Sequence, residues 1–134
     1  MKLNLIPADT RMEANGDGAA FNVAESATRT FLCVLTVSDQ IEQESLDVSI
    51  YASADGESWP KNPLLKLPQQ FYRGRTKLVL DLTHRPEAKF IRARWELNRW
   101  GRGAPLPMFV AGLELEEVPQ MMQGGSRSAA SVAG

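Results

Sequence analysis

The sequence contains one cysteine, Cys33, and one histidine, His84, among its 134 residues. A single cysteine excludes an intramolecular disulfide framework, and one cysteine with one histidine cannot form a Cys/His zinc site. A chain of this length buries roughly two-thirds of its unfolded surface, so it can fold without disulfides or a zinc site. We therefore expect one domain over residues 1–118 that uses no cofactor and no structural metal.

Long apolar runs are also missing. Residues 1–18 contain no apolar segment of signal-peptide length, and no window approaches the run of about 18 apolar residues that a membrane span needs. These absences predict a protein that neither enters a membrane nor is exported by a cleaved signal. We accordingly expect a cytoplasmic or virion-like, particle-associated location.

Helical periodicity is weak throughout, and residues 39–44 form one helical turn at most. Apolar residues instead alternate with polar ones, which is typical of strands. The pattern predicts strands at 28–38, 46–53, 76–82, 88–97 and 107–116, with weaker candidates at 2–6 and 20–24. Seven or eight short strands separated by turns predict an all-β fold, an antiparallel β-sandwich or jelly roll with little or no helix.

Charge is distributed unevenly along the chain, although the formal net charge is only −1. Residues 1–60 carry three cations and ten acids, whereas residues 61–102 carry eleven cations and three acids. The two segments can satisfy each other within one sandwich or between copies of the chain. The sequence leaves both possibilities open.

Groups suited to catalysis are scarce. His84 lies in the turn-like segment Thr83-His84-Arg85-Pro86, and Cys33 lies among apolar residues of a predicted strand, where a free cysteine packs as a small hydrophobe. The sequence has no Gly-rich phosphate loop, HExxH motif or EF-hand pattern. We therefore predict that the protein is not an enzyme.

The segment Ser53-Ala54-Asp55-Gly56-Glu57-Ser58-Trp59 carries the pattern S-x-D-G-x-x-W. Asp-Gly favours a tight turn, and we interpret Trp59 as a structural residue that covers an open end of the sandwich. Together with the later Arg-rich strand, the segment resembles β-sandwich structural proteins of tailed phages and, less closely, discoidin-like (coagulation-factor type C) domains. The resemblance covers residues 46–97. It implies a sandwich fold and a capsid, decoration or tail role, or else carbohydrate binding.

Arginine and aromatic residues concentrate in the second half of the chain and form the candidate partner- or ligand-binding surface. Arginine pairs bidentately with carboxylate or phosphate, and tryptophan and tyrosine stack on sugars or bases. In the alternative interpretation these arginines pair with local carboxylates across neighbouring strands. The candidate residues are Tyr72, Arg73, Arg75, Arg92, Arg94, Arg99, Trp100 and Arg102.

Our leading hypothesis is a non-enzymatic structural protein that forms homo-oligomers or joins other subunits of a virion-like particle through charge-complementary surfaces. The alternative is a discoidin-like carbohydrate-binding module. Nucleic acid is a less favoured partner, because the sequence lacks an overall basic charge. Residues 119–134 are rich in Gly, Ser and Ala, which predicts a flexible tail or an assembly arm.

Overall fold

A computed structural model describes residues 1–101 and 108–119. Within these ranges the regular structure is entirely β, as the alternating pattern predicts. The strands are β1 (Lys2–Met12), β2 (Gly16–Asp17), β3 (Phe21–Asn22), β4 (Thr30–Gln40), β5 (Glu44–Ser53), β6 (Leu65–Lys66), β7 (Gly74–Asp81), β8 (Phe90–Arg99) and β9 (Phe109–Glu117).

The strands form two sheets, and every pairing is antiparallel. Sheet 1 has the order β1-β9-β4-β7, and sheet 2 has the order β2-β8-β5-β6, with β3 also paired to β8. Strands therefore pair from the outside of the sequence inwards, β1 with β9, β2 and β3 with β8, β4 with β7, and β5 with β6. This is the connectivity of a jelly roll, and it confirms the predicted sandwich.

The core lies between the two sheets and is built by alternate residues of each long strand. In β4 the buried residues are Phe31, Cys33, Leu35 and Val37, while the side chains between them are only half-buried. Strand β4 lies between β9 and β7 and is therefore a central strand of sheet 1. Strands β5 and β8 bury their alternate apolar residues in the same way.

Several strand limits differ from the sequence prediction. Strand β1 continues to Met12 because irregular register against β9 lets it run past Ile6. Strand β2 was not predicted, since it is only two residues long and its residues, Gly16 and Asp17, carry no apolar pattern. Residues 39 and 40 extend β4 rather than starting a helical turn.

The Asp55-Gly56 segment forms a turn, as predicted, but this turn does not connect β5 directly to a neighbouring strand. Gly56 does have the expected positive φ, 80°. However, β5 is followed by the long excursion 54–64, and the chain returns to pair with β5 only at Leu65–Lys66. The Ser53 hydroxyl donates to the Ser58 carbonyl oxygen and the Ser58 amide donates to Asp55, which closes a compact loop before the chain reaches β6.

The predicted tail lies outside the described residues from 120 onwards, so its role stays a prediction. Within residues 1–101 and 108–119, no helix is long and apolar enough to cross a membrane. The same residues contain no group of three His, Cys, Asp or Glu side chains placed to hold a metal ion.

The buried thiol of Cys33 gives a direct test of the core. Burial raises the pKa of this thiol to about 12, so it is protonated and inaccessible at neutral pH. We expect labelling by a thiol reagent to be at least about a hundredfold slower in native buffer than in concentrated guanidinium chloride, because reaction requires opening of sheet 1. Equal rates in the two conditions would contradict this packing.

Candidate functional site

The structure distributes the predicted site residues over separate surfaces. Tyr72 and Trp100 meet at one end of the sandwich, and Arg73 and Arg99 lie near that end. The loops 41–43, 67–73 and the start of the β8–β9 connection share this end, because β4 and β8 finish there and β5, β7 and β9 begin there. Arg92 and Arg94 lie instead on the outer face of sheet 2, and Arg75 lies on sheet 1.

Three aromatic side chains form a cluster at the loop end, which we call the aromatic cluster. Its centre is Phe71, whose ring centroid lies 6.4 Å from that of Tyr72 and 6.2 Å from that of Trp100. Tyr72 is 72% exposed and Trp100 is 58% exposed. Tyr72 and Trp100 therefore each contact Phe71 without being covered by it, and together the three rings present an aromatic surface to solvent.

Backbone hydrogen bonds fix the loops that carry the aromatic cluster. Gln70, directly before Phe71, exchanges two hydrogen bonds of 2.9 Å with Leu46 of β5. The amide of Trp100 donates to the carbonyl oxygen of Gln43 at 3.0 Å. The cluster is thus attached to sheet 2 at both of its segments, and its position does not depend on contacts between the rings alone.

Arg73 and Arg75 do not join the aromatic rings in one site. The Nη2 of Arg73 lies 3.0 Å from Oδ1 of Asp39, and this hydrogen bond lowers the pKa of the Asp39 carboxyl group. Arg75 lies on β7, the edge strand of sheet 1, next to a shallow depression on the outer face of that sheet. Cationic side chains on an edge strand discourage edge-to-edge pairing, which accounts for Arg75 structurally.

Arg99 occupies the last position of β8, opposite Glu44 in the β5–β8 register, and its side chain is partly enclosed. The Glu44 carboxylate is buried, and it accepts hydrogen bonds from the amides of Ile41 and Met108. Glu44 thereby joins two neighbouring loops at this end. Arg102, the remaining candidate, lies outside the described residues.

A polar groove of about 340 Å³ runs along the outer face of sheet 2. Strands β5 and β8 place Tyr51 opposite Arg92, and the Arg92 guanidinium lies over the Trp59 ring, 4.4 Å from its centroid. Its cationic neighbours are Lys61 and Arg94. We call this feature the sheet-2 groove.

Carboxylates on both sides of Arg94 complete the wall of the sheet-2 groove. Asp17 of β2 and Glu96 of β8 each lie 3.4 Å from the Arg94 guanidinium. The negative charge of Asp17 is the main cause that raises the pKa of Arg94. Asp17 belongs to the acidic first segment and Arg94 to the basic second segment, as do Asp39 and Arg73. These pairs show that part of the charge split is satisfied within one sandwich.

The loop after β5 positions Trp59 above the sheet-2 groove. Ser53 Oγ donates to the carbonyl oxygen of Ser58 at 2.7 Å and accepts from the amides of Asp55 and Gly56. Asp55 Oδ1 accepts from the amides of Ser58 and Glu57, and these bonds lower the Asp55 pKa to about 2. The S-x-D-G turn thus fixes the backbone directly before Trp59, and the Trp59 ring lies against Arg92.

Sequence reasoning missed several members of these surfaces. Phe71 is the central ring of the aromatic cluster, and its position beside Tyr72 in a polar loop was the available signal. Trp59 was interpreted only as a structural cover for an end of the sandwich, and its contact with Arg92 on the face of sheet 2 was not predicted. His84 is exposed in a turn, as predicted.

Two solved structures resemble this chain in shape. One is of infectious bursal disease virus, Gx strain, with a TM-score of 0.47 and 12% identity over 86% of this chain and 30% of that chain. The other is the K1 cleaved adhesin domain of Lys-gingipain from Porphyromonas gingivalis W83, with a TM-score of 0.42 and 12% identity over 78% of this chain and 63% of that chain. No protein-family model and no curated protein matches the sequence. Similarities this weak transfer no function to this chain.

Replacing Asp55 with alanine tests how the loop holds Trp59. We expect Asp55→Ala to lower the Tm by several degrees and to shift the indole NMR signal of Trp59, because two amides lose their acceptor. The folded pKa of about 2 lies below the ordinary 3.8. The stabilisation by ionised Asp55 is therefore present above pH 3.8 and disappears as the pH falls towards 2.

The matched control is Glu57→Ala, which removes a neighbouring exposed carboxylate and keeps the Glu57 amide. It should leave both the Trp59 signal and the acid dependence close to wild type. If Asp55→Ala and Glu57→Ala behave alike, the Asp55 turn does not position Trp59.

Proposed function

We propose that this protein is a non-enzymatic structural subunit that assembles with copies of itself in a phage-like particle, with the aromatic cluster at the centre of the contact. The observation that carries the proposal is the exposure of three rings on anchored loops, with Tyr72 and Trp100 each in contact with Phe71. Exposed aromatic patches with polar surroundings are typical of protein interfaces, and tryptophan and tyrosine contribute strongly to binding there.

Anchoring of the loops supports this role. Phe71 follows the two hydrogen bonds between Gln70 and Leu46, and Trp100 is held by Gln43. A surface fixed in this way loses little conformational entropy when a second molecule covers it. The low formal net charge of −1 adds only weak repulsion between copies.

Assembly through charge-complementary surfaces receives less support than assembly through the exposed aromatic rings. Arg73 already pairs with Asp39, and Arg94 pairs with Asp17 and Glu96. Exposed pairs of this kind are screened by salt and contribute little to association. We therefore assign the main attraction to the rings. The carboxylates Asp17 and Glu96 beside Arg94 also make nucleic acid a poor partner for sheet 2, because they repel phosphates.

The proposal includes no catalytic step. The Cys33 thiol is buried and has a raised pKa, so it cannot serve as a thiolate nucleophile. His84 is exposed in a turn of the β7–β8 connection, on the opposite end of the sandwich from the aromatic cluster. A binding surface without a placed nucleophile and base is consistent with an assembly role.

Light scattering coupled to size-exclusion chromatography tests the proposal. We expect the wild-type protein to form oligomers as its concentration rises, and the oligomers to persist at high salt because apolar contacts are not screened. The double variant Tyr72→Ser/Trp100→Ser should weaken association by at least about tenfold, since it removes the two most exposed rings.

The matched control is Val79→Ser, which removes an exposed apolar side chain from the edge strand β7. It should associate like the wild type. A monomer at every concentration and ionic strength would contradict assembly, and equal effects of the control and the double variant would remove the aromatic cluster from the interface.

Carbohydrate binding of the discoidin-like type is the second candidate, and the exposure of Trp100 and Tyr72 on loops favours it. Aromatic faces held at one end of a sandwich can stack on the apolar faces of sugar rings. The edge-on contact between Phe71 and Trp100, with an interplanar angle of 61°, keeps the Trp100 ring from folding onto its neighbour.

A glycan array separates the two candidates. For a neutral-sugar site we expect hits that disappear in Trp100→Ser but persist in Val79→Ser, with the protein held at a concentration where it is monomeric. An array without hits that depend on Trp100 would exclude this second candidate and leave the assembly proposal untouched.

A further inference from the structure

We propose that the sheet-2 groove binds an acidic sugar, with the carboxylate of the sugar on Arg92 and its hydroxyl groups on the neighbouring side chains. The inference concerns a different face of the molecule from the aromatic cluster, so it is independent of the assembly proposal. The side chain that carries the inference is Arg92.

Arg92 lacks the carboxylate partner that its neighbour has. Arg94 contacts both Asp17 and Glu96, whereas the contact of Arg92 in the described part of the chain is the face of Trp59. The residues outside the described ranges contain no Asp or Glu that could supply a partner. The charge of Arg92 is therefore held in place by an aromatic ring without being neutralised.

The stacking also determines which nitrogens a ligand can reach. Nε of Arg92 is enclosed and has no hydrogen-bond partner within the described residues, while the terminal Nη groups are not enclosed. The two Nη groups form the end of the guanidinium fork. A planar fork that is fixed against a ring and open at its end matches the two oxygens of a carboxylate.

The net charge of the groove lining suits a ligand with one negative charge. The cations Lys61, Arg92 and Arg94 face the two carboxylates of Asp17 and Glu96, so the lining carries one positive charge in excess. A ligand with a single carboxylate balances it. A polyanion such as nucleic acid would instead meet the two carboxylates beside Arg94.

The same carboxylates favour a sugar over a simple anion. Asp17 and Glu96 each accept one contact from Arg94 and keep further acceptor sites, which hydroxyl groups of a ligand can fill. Tyr51 and Lys61 add a hydroxyl and an ammonium group to the lining. A volume of about 340 Å³ is within the range of small-molecule sites. One carboxylate and several hydroxyls are the functional groups of a uronic acid.

This site gives the S-x-D-G-x-x-W pattern a binding role in addition to its structural one. Ser53, Asp55 and Gly56 form the turn, and Trp59 at the end of the pattern lies over Arg92. Arg92 comes from β8, far away in sequence. The turn thus holds Trp59 against Arg92 of β8, and Arg92 binds the ligand.

Titration with sodium glucuronate, followed by proton–nitrogen NMR of the Trp59 indole and the β8 amides, tests the inference. The Trp59 signal is assigned as the one missing from Trp59→Phe. We expect saturable shifts in the millimolar range, confined to the sheet-2 groove. Arg92→Gln should weaken binding by at least about tenfold, because it removes the charged fork.

The matched control is Arg11→Gln, which neutralises an exposed, ion-paired arginine of sheet 1 and should bind like the wild type. If Arg92→Gln fails to fold, Lys61→Gln takes its place and should also weaken binding. Methyl glucoside should cause no saturable shift, and sodium acetate should bind much more weakly than glucuronate.

Three results would overturn the inference. Equal binding of acetate and glucuronate would mean that the groove recognises a bare carboxylate, as in an acidic peptide. Equal binding of methyl glucoside would mean that Arg92 is not used. Absence of any saturable shift with glucuronate would exclude the site, and none of these results would alter the oligomeric state measured for the assembly proposal.

Discussion

Strand β8 must bury Ile91 and Ala93 between the two sheets, and the chemistry of sheet 2 depends on that constraint. Neither residue is accessible to solvent. Because side chains alternate along a strand, burial of these two turns Arg92 and Arg94 to the same outer face. A shift of one residue would bury two guanidinium groups at a prohibitive desolvation cost. The apolar core therefore fixes the position of the charged groove outside it.

Two arginines with the same orientation still acquire different properties, and the difference comes from their neighbours. Pairing with β2 brings Asp17 opposite Arg94, and that arginine is neutralised. Arg92 lies beyond β2 and beneath the loop 54–64, where Trp59 meets it. The charge of an arginine against a ring is balanced by no carboxylate, whereas the charge of an arginine between two carboxylates is already balanced. Loop geometry thus decides which of the two is available to a ligand.

The aromatic cluster depends on the jelly-roll connectivity in a similar way. Phe71 and Tyr72 precede β7, and Trp100 follows β8, so they are distant in sequence. They meet because the strands that carry them begin and end at the same end of the sandwich. Two surfaces of different chemistry therefore occupy one small domain, one aromatic at its end and one charged on its face.

The sequence predicted local features of this molecule well and distant contacts poorly. The alternation of apolar and polar residues was sufficient to predict the sandwich and to place Arg92 and Arg94 on an outward face. Both follow from a side-chain period of two residues along a strand. It could not place Trp59 over Arg92, since that contact depends on the path of a long loop. Short strands such as Gly16–Asp17 pair through the backbone and leave no side-chain pattern to detect.

The position of β9 in sheet 1 has a consequence for biosynthesis. This strand, the last one in the described part of the chain, lies between β1 and β4, which appear early in the chain. Until β9 leaves the ribosome, β1 lacks its neighbour and one edge of β4 is unpaired. Sheet 1 closes only when synthesis of the domain is complete, so a nascent chain stalled before Phe109 exposes strand edges to other chains.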